Sequence, residues 1–303
     1  MMKKTTMNIW DGSISHSNSW KEAGLECGVR IEGSPLIKGP ENVEWIRKQH
    51  HFDGITVFTD NFLYREAVLS VDSLVKIGLL IEPIDVHNGP YDGAEDSEDL
   101  LDFIFTFNKR LIDKDPIKYK FIPADWCCVE DISHGGKEKT KLVSMIYSPK
   151  GGIDRDLRHS VADRFGDAID LFGGDRGETA LKSDTLNSHM FSVAMENSID
   201  SFYYTEKIID CFITKNVPIY RGAQSIGDFF DERGIIQWST LDELNDVIET
   251  LSPEKYFKML PYITENYHIA KKYISPDDVL YDLICKCLHD KNYDTFIDFK
   301  NIP

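Results

Sequence analysis

The sequence has no hydrophobic segment long enough to cross a membrane. A membrane-spanning helix needs about 18 or more consecutive apolar residues, and no such run occurs in the 303 residues. The N-terminal stretch MMKKTTMNIW contains lysines without an apolar core after them, so it does not resemble a secretory signal. We therefore expect a protein that has no integral membrane segment and stays in the cytoplasm.

Positive charge is also scarce. The chain has 34 Lys and Arg residues against 51 Asp and Glu residues, which gives a formal net charge of −17. A surface that binds the phosphate backbone of a nucleic acid must be basic, so nucleic-acid partners are not expected. A local cationic pocket for a small anionic ligand is still compatible with this charge. The 42% of hydrophobic residues are enough to build the cores of two domains.

The spacings that metal sites and disulfide frameworks need are missing. The six cysteines include no CxxC pair, and without a secretory signal we expect them to be free thiols. Cys285 and Cys287 have no second pair nearby. His50 and His51, close to Asp53, resemble part of a metal site, but a third ligand is not evident. No metal is therefore assigned to these residues.

The standard phosphate-binding and nucleophile motifs are absent as well. GxxxxGK[ST] does not occur, and the glycine-rich run 173–177 does not fit GxGxxG, which argues against P-loop and nicotinamide enzymes. No nucleophile elbow or Cys/His signature is present. The Asp-x-Asp tripeptides 113–115 and 154–156 have the form used for metal-bound nucleotide sugars, but each has a basic centre and such tripeptides are common by chance.

Short apolar runs are what the sequence does contain. They alternate with polar or helical segments, which predicts βαβ units and parallel sheets in an α/β fold. Asp60, Glu82 and Glu196 each follow such a run, at the strand ends where open α/β sheets bind ligands. The predicted strands are Gly54–Phe58, Leu79–Ile81, Phe103–Phe107, Tyr119–Ile122, Leu142–Tyr147, Ala168–Phe172, Met190–Met195, Val217–Tyr220 and Ile235–Trp238.

A polar stretch around Val129–Lys141 has no hydrophobic periodicity and contains a Gly pair. It predicts a boundary between two domains, 1–140 and 141–303. The second domain ends in a helical tail, in which Ser252-Pro253 and Ser275-Pro276 are good helix starts. The predicted tail helices are Leu241–Leu251, one around Tyr256–Tyr273, and Asp277–Leu288.

The strand-to-helix turn within residues 195–212 carries an unusual set of polar groups. Thr205 is a plausible N-cap, which places Glu206 and Lys207 in the first turn of an apolar helix. Lysine does not suit the positive end of a helix dipole unless an anion lies there. The backbone N–H groups at the helix N-terminus, the helix dipole and the Lys207 ammonium would then form a phosphate site. Glu206 would bind sugar hydroxyls such as those of a ribose. From the residues alone, a first-turn glutamate with Lys207 pointing to water is equally open.

Residues 194–222, AMENSIDSFYYTEKIIDCFITKNVPIYRG, carry a family resemblance. They resemble the donor-site signature of the family 10 glycosyltransferases, the α1,3/α1,4-fucosyltransferases: F-E-N-S, then Y-x-T-E-K, an apolar helix, V/I-P-I/V and a Gly. The spacing fits without a gap, although Met195 stands where the family usually has Phe. Segments 142–174 and 225–244 also resemble the family, so the strong part of the match spans about residues 141–250.

The resemblance implies a GT-B fold, with two Rossmann-like domains facing each other across a cleft. It implies a first domain, 1–140, that binds the acceptor and a second, 141–303, that binds the nucleotide sugar. The implied reaction is an inverting transfer of L-fucose from GDP-L-fucose to a hydroxyl of an oligosaccharide or glycoconjugate acceptor, with an α1,3-type linkage. No metal is obligatory in the family, and a divalent cation is at most stimulatory.

The family's donor residues can be carried over to matching positions. Asn197 and Tyr203 would line the donor pocket, Glu206 would bind the ribose hydroxyls, and Lys207 would pair with the diphosphate. An arginine early in the second domain should also meet the phosphates. Arg158 fits best because it lies fifteen residues before Gly173, as the family's spacing requires, and the alternative is Arg155.

The family's general base is a Glu that follows a strand of the first domain. Glu82 is the choice for this role, although the family's Gly-Glu-Asn is here Ile-Glu-Pro. Asp85 and Asp60 are the alternatives. His87, Asn88 and Tyr91 are near enough in sequence to contact an acceptor sugar.

Departures from the family pattern narrow the expectation. The membrane anchor, stem and disulfides of the secreted animal members are not seen, nor are the basic heptad repeats of some bacterial members, which favours a cytoplasmic enzyme of bacterial or viral type. Arg221 precedes the Gly that follows the V/I-P-I/V strand, where the family usually has Trp or another residue, and this departure affects the expected contact with the donor sugar or base. Two alternatives stay open: the same fold and mechanism with another nucleotide sugar, or a non-catalytic protein that binds a sugar nucleotide or a glycan.

Overall fold

The computed structural model describes residues 4–11, 41–129, 139–147, 155–173 and 181–290. They form two compact units, each built on one sheet. Every strand pair in both sheets is parallel, which confirms the predicted parallel α/β class. The first unit contains residues 4–11, 41–124 and 275–290, and the second contains 125–129, 139–147, 155–173 and 181–274.

The first sheet has six strands in the order β2-β1-β3-β4-β5-β6. Its central strands read as near-continuous apolar segments because a parallel sheet is covered on both faces. In β5, for example, all four residues are buried. The strands are β1 (Thr5–Trp10), β2 (Val43–Arg47), β3 (His51–Thr59), β4 (Asp72–Leu80), β5 (Phe103–Thr106) and β6 (Tyr119–Phe121).

Between β3 and β6, three short helices and two 3₁₀ turns connect the strands. The helices are α1 (Arg65–Leu69), α2 (Gly89–Asp96) and α3 (Lys109–Lys114), and the turns are Asp60–Phe62 and Glu98–Leu100. One core cluster joins them to the sheet. It includes Trp10, Phe58, Leu63, Val68, Leu80, Tyr91, Ala94, Ile104, Leu111 and Tyr119.

The second sheet has five strands in the order β11-β10-β9-β7-β8. The chain leaves β7 for β8 on one side and reaches β9 on the other, and this change of direction opens a crevice at the carboxyl ends of the central strands. All seven residues of β9 are buried. The strands are β7 (Lys141–Ile146), β8 (Asp170–Phe172), β9 (His189–Met195), β10 (Val217–Arg221) and β11 (Ile236–Gln237).

Two helices of the second unit begin at N-caps that the sequence predicts. Thr205 caps α6, and Ser252 caps α8 with Pro253 in its first turn. The apolar residues Ile208, Ile209, Phe212 and Ile213 of α6 are buried. The helices are α4 (Arg155–Phe165), α5 (Lys182–Ser188), α6 (Glu206–Ile213), α7 (Leu241–Glu249) and α8 (Pro253–Ala270).

The last helix, α9 (Pro276–Asp290), packs on the first sheet. The indole N–H of Trp45 in β2 donates to Asp277 Oδ1 at 2.9 Å, and the Asp278 carboxylate accepts the backbone N–H of Asn42. The sequence-based division placed everything after residue 141 in one domain. The structure instead groups 275–290 with the first unit, because Asp277 and Asp278 in the first turn of α9 bind Trp45 and Asn42 of that unit.

Among the described residues, no helix combines the length and the apolar character that a membrane crossing requires.

Candidate active site

The carboxyl end of β9 is organised around a fully buried carboxylate, Glu196. Its Oε1 accepts the backbone N–H of Thr205 at 3.0 Å, and its Oε2 accepts the Thr205 hydroxyl at 2.6 Å. The Tyr220 hydroxyl of β10 donates to Oε1 at 3.3 Å. Burial raises the pKa of Glu196, and the nearby Lys207 ammonium opposes that rise. Glu196 therefore links the end of β9 to the N-cap of α6 and to β10 through hydrogen bonds.

Lys207 lies in the first turn of α6, where its ammonium is surrounded by oxygen atoms. Nζ is 3.1 Å from Thr205 Oγ1, 3.2 Å from Glu206 Oε1 and 3.5 Å from Glu196 Oε2. Burial alone would lower the pKa of Lys207, but the Glu206 and Glu196 carboxylates raise it overall. The group is held as a cation at a helix N-terminus, and a quarter of its side chain is exposed.

Glu206 contacts two lysines. Besides Lys207, Lys182 at the start of α5 places Nζ 3.8 Å from Glu206 Oε1. Burial raises the pKa of Glu206, but Lys207 and Lys182 outweigh it and hold the pKa well below the usual range. Glu206 is thus an acceptor-only carboxylate at neutral pH, which is the state that receives hydrogen bonds from sugar hydroxyls.

Lys182 also holds Asp210, one turn further along α6. Its Nζ is 3.0 Å from Asp210 Oδ2, and Asp210 Oδ1 accepts the backbone N–H of Cys128 at 2.7 Å. Sequence reasoning did not include Lys182 or Asp210 in the site. The i, i+4 spacing of Glu206 and Asp210 on one helix could have indicated a shared face, whereas no local signal points to Lys182.

Arg158 on α4 is buried against the same loop. Its Nη2 donates to Asn197 Oδ1 at 2.5 Å, to the Glu196 carbonyl at 3.1 Å and to the Met195 carbonyl at 3.5 Å. The structure therefore brings two of the predicted donor residues, Arg158 and Asn197, into direct contact. The side chain of the alternative, Arg155, lies outside the described residues.

Tyr203 lies in the loop that ends at the α6 cap, and its side chain is buried. It is close enough to Tyr220 to raise the pKa of that phenol, although burial is the main cause of the rise. All five predicted donor residues, Arg158, Asn197, Tyr203, Glu206 and Lys207, thus belong to one region of the second unit, around the end of β9 and the start of α6.

The glycine after β10 fits this region for a steric reason. A Cβ added at Gly222 would lie 2.5 Å from Glu196 Cγ and would also meet the Tyr220 hydroxyl. Real side chains essentially never approach so closely. Only glycine therefore lets the chain pass over the Glu196–Tyr220 pair.

Glu82 lies in the first unit, two residues after β4, and its residue surface is exposed. Its carbonyl accepts the Tyr91 hydroxyl at 2.8 Å. Asp60 directly follows the neighbouring strand β3, and its Oδ1 accepts the backbone N–H of Ile81 at 3.1 Å. Asp85 is exposed in the turn that follows Glu82.

Several other sequence candidates have structural partners instead. Tyr91 was predicted as an acceptor contact, but its ring is 1% exposed and packs in the core, because α2 turns it inward. Asp113 pairs with Lys109 at 2.6 Å, and Asp115 accepts the backbone N–H groups of Ile117 and Lys118. Asp154 lies outside the described residues.

The histidine and cysteine candidates likewise form no cluster in the described part of the chain. His51 is 3.7 Å from Asp72 and His50 contacts the Ser70 carbonyl. Cys285 and Cys287 are buried on α9 and are not joined by a disulfide. Within the described ranges, no group of three or more His, Cys, Asp or Glu side chains has the arrangement of a metal site.

Sequence comparison gives two findings. The profile described as "Glycosyltransferase family 10 (fucosyltransferase) C-term" matches residues 137–299. Alpha-(1,3)-fucosyltransferase FucT of Helicobacter pylori is 32% identical over 84 residues, which is 26% of this chain and 18% of that protein. The matched segment thus spans less than a fifth of this curated relative.

Structural comparison covers more of the chain. A crystal structure of an alpha1,3-fucosyltransferase with GDP-fucose is similar with a TM-score of 0.52 and 16% identity, over 86% of this chain and 83% of that one. Anabaena Alr3699/HepE in complex with UDP-glucose is similar with a TM-score of 0.56 and 11% identity, over 94% and 99%. At these identities the likeness concerns the fold, which is GT-B.

Proposed function

The chain belongs to glycosyltransferase family 10, and from this premise we propose that it is an inverting fucosyltransferase. It moves L-fucose from GDP-L-fucose to a hydroxyl of an oligosaccharide or glycoconjugate acceptor, with an α1,3-type linkage. The observation that carries the proposal is the gathering of Arg158, Asn197, Glu206 and Lys207 around the end of β9 and the start of α6. The family profile covers all of these residues.

Glu206 is the proposed ligand of the ribose. Its carboxylate is held ionised by two lysines, so it can accept hydrogen bonds from both hydroxyls of a ribose diol. Its position as the first residue of α6 fixes it at the carboxyl edge of the second sheet. Asn197, oriented by Arg158, and the buried Tyr203 line the same pocket in this proposal.

Lys207 and Arg158 are the proposed partners of the diphosphate. The leaving group of the transfer is GDP, on which negative charge grows as the bond to the sugar breaks. Lys207 lies in the first turn of α6, so its ammonium and the positive end of the helix dipole would together stabilise that charge. Arg158 supplies a second cation. Its contacts with the loop after β9 use Nη2, and in this proposal its other guanidinium N–H groups donate to the diphosphate. This cationic set removes the need for an obligatory divalent ion.

Glu82 is the proposed general base. In an inverting transfer the acceptor oxygen forms a bond to the anomeric carbon as the bond from that carbon to the diphosphate oxygen breaks, and the hydroxyl proton passes to the base. An exposed carboxylate after β4 can receive such a proton. Asp85 and Asp60 are the alternative bases.

The donor is tested by a thermal-shift panel of GDP-fucose, GDP-mannose, GDP, UDP-glucose and UDP. We expect GDP-fucose and GDP to raise the melting temperature and the uridine nucleotides to leave it unchanged, since a ligand that binds only the native state stabilises it. A larger shift with a UDP-sugar would show that the fold serves another donor and would exclude the fucose assignment.

The base is tested with Glu82→Gln. We expect fucosyl transfer to fall by at least about 100-fold, the range in which removal of a general base lies, while the GDP-fucose shift stays at its wild-type size. Glu95→Gln is the matched control: this carboxylate lies on α2, is about one-third exposed and pairs with Arg110 and Lys114, so the variant should transfer normally. Full transfer by Glu82→Gln would remove Glu82 from the mechanism, and GDP-fucose binding without any turnover by the wild type would favour a non-catalytic binding protein.

A further inference from the structure

Two side chains from neighbouring elements hold the backbone segment that carries Glu82. Asp60 Oδ1 accepts the N–H of Ile81 at 3.1 Å, and the same carboxylate interacts with the backbone N–H of Glu82. From the other side, the Tyr91 hydroxyl donates to the Glu82 carbonyl at 2.8 Å. Both backbone polar groups of Glu82 are therefore bound to side chains, although the residue follows a strand and lies in no helix.

Asp60 reaches this segment because of where β3 ends. Strands β3 and β4 pair in parallel register up to Thr59 and Leu79, so the next residues of both strands emerge side by side at the carboxyl edge. Asp60 turns the chain out of β3 with a φ of 23°, a positive value that Asp and Asn adopt more readily than other non-glycine residues. Because of this turn, the Asp60 carboxylate lies against the residue that follows β4, where it accepts the Ile81 N–H.

The turn that contains Asp60 is itself fixed. Helix α2 lies directly against it, since a Cβ added at Gly93 would collide with the Leu63 carbonyl. Leu63 and Tyr91 are both members of the core cluster of the first unit. Tyr91 is thus part of the buried core, the Asp60 turn is joined to that core through Leu63, and the two side chains hold an exposed Glu82 between them.

We propose that Asp60 is a positioning residue for the transfer reaction: its carboxylate binds the backbone of Ile81 and Glu82 and so sets where the Glu82 carboxylate is presented. The proposal rests on the proposed function, in which Glu82 is the base. Asp60 touches no reacting atom in this role. Its contribution is to restrict the conformations of the Glu82 backbone, so that the Glu82 carboxylate more often lies where it can accept the proton.

The charge of Asp60 makes this hold depend on pH. Burial raises the pKa of Asp60 to about 7, with the Glu82 carboxylate adding to the rise and the two backbone N–H donors opposing it. Glu82 is the charged side chain that acts on Asp60 from the end of β4, and α2 contributes the neutral Tyr91 hydroxyl beside it. The carboxylate form, which accepts both N–H groups, is therefore lost as pH falls through about 7.

The test is Asp60→Asn, assayed for transfer with the full-length chain. The amide oxygen can still accept one N–H group, but the amide nitrogen cannot accept the other, and the negative charge is gone. We expect kcat to fall roughly tenfold, the equivalent of one lost charge-assisted hydrogen bond, with the KM for GDP-fucose unchanged. The wild-type kcat should also decline on the acid side with a midpoint near 7, and this decline should be absent from Asp60→Asn.

Tyr91→Phe is the companion variant. It removes the hydroxyl that binds the Glu82 carbonyl but adds no charge change, so kcat should fall several-fold while the acid-side decline remains. Because Phe keeps the packing of the ring, this variant also tests the hold on Glu82 if Asp60→Asn folds poorly. The size of the GDP-fucose thermal shift shows for both variants that the donor-binding unit is intact.

Two results would overturn the proposal. One is wild-type kcat and an unchanged pH profile in Asp60→Asn. The other is complete loss of transfer in Asp60→Asn together with full transfer in Glu82→Gln, because Asp60 would then be the base itself. Failure of the proposed function is distinguishable from both, since in that case the wild-type chain would show no fucosyl transfer.

Discussion

At the scale of single residues, the donor region is a compact arrangement of opposite charges. Lys182 and Lys207 face the carboxylates of Glu196, Glu206 and Asp210, which are buried or nearly so. Buried charges are tolerated only when they are paired and hydrogen-bonded. Each carboxylate here has a lysine within 4 Å. The two lysines therefore offset the charge of the buried carboxylates, and Lys207 has the additional, proposed role of pairing with the diphosphate.

One substitution of Lys182 allows its effect on stability and its effect on donor binding to be measured separately. Replacing it with Met would leave Asp210 and Glu206 with less compensating charge, and the pKa of both carboxyls would rise. We expect the free energy of unfolding to fall by about 2–4 kcal/mol, below the full cost of breaking a buried ion pair because a quarter of the Lys182 side chain is exposed. GDP-fucose affinity should fall as well. Urea unfolding and isothermal titration measure the two effects.

The control for Lys182→Met is Lys141→Met, which removes the exposed pair with Asp170. About half of each side chain is exposed there, so the loss should stay below about 1 kcal/mol. The double variant Lys182→Met/Asp210→Asn should recover part of the lost stability, because it no longer buries an uncompensated charge. Equal effects of Lys182→Met and Lys141→Met would contradict the assigned role.

At the scale of elements, the site depends on how β9, α6 and β10 approach one another. Glu196 directly follows β9, Thr205 is the N-cap of α6 and Tyr220 lies in β10, and the Glu196 carboxylate binds the side chains of the other two. Gly222 leaves room for this contact at the end of β10. The relative position of three elements thus depends on one small residue and one buried carboxylate.

Gly222→Ala tests that dependence. The added Cβ would be forced against Glu196 Cγ, at 2.5 Å, and against the Tyr220 hydroxyl. Since both neighbours are buried, they can yield only by moving β9 or β10, and we expect a loss of about 1–3 kcal/mol in stability and a weaker GDP-fucose thermal shift. Gly89→Ala is the control, because the nearest atom to its added Cβ is 3.9 Å away. Wild-type behaviour of Gly222→Ala would contradict the steric argument.

The elements were largely predictable from apolar runs and helix caps. The nine predicted strands correspond to β3–β11, and the three tail helices to α7, α8 and α9. Strands β1 and β2 were missed because polar and apolar residues are mixed in them. In β1, for instance, Asn8 is fully buried, where its side chain donates to the Gln49 carbonyl and the Thr56 hydroxyl. In the sequence this polar residue interrupts the apolar run by which a strand is predicted.

From the residues alone, the site was predictable only where its members are neighbours in the chain, whereas Arg158 came from the family resemblance. The cap at Thr205 is confirmed, and Glu206 and Lys207 do lie in the first turn of α6. Lys182 contacts Glu206 and Asp210 across a sequence gap that carries no periodic signal. The roles assigned to Glu82, Arg158, Asn197, Tyr203, Glu206 and Lys207 stay predictions until the variants are measured.

At the scale of the whole molecule, the chain crosses between its two units more than once. Residues after 141 build the second sheet, yet α9 returns to the first unit, where Leu280, Ile284 and Leu288 are fully buried. The unit that carries Glu82 is therefore completed by the far end of the described chain. A division by sequence position alone would assign α9 to the donor unit.

Ile284→Ala tests which unit α9 stabilises. Deleting these buried methyl groups should destabilise the first unit by about 2–5 kcal/mol, seen in calorimetry as a lower melting temperature of the transition that GDP-fucose does not shift. GDP-fucose should still bind with wild-type affinity, because its proposed ligands all lie in the second unit. Lys286→Ala, at an exposed position of the same helix, should change neither quantity. Loss of donor affinity in Ile284→Ala without loss of stability in the first unit would contradict the grouping of α9 with the first sheet.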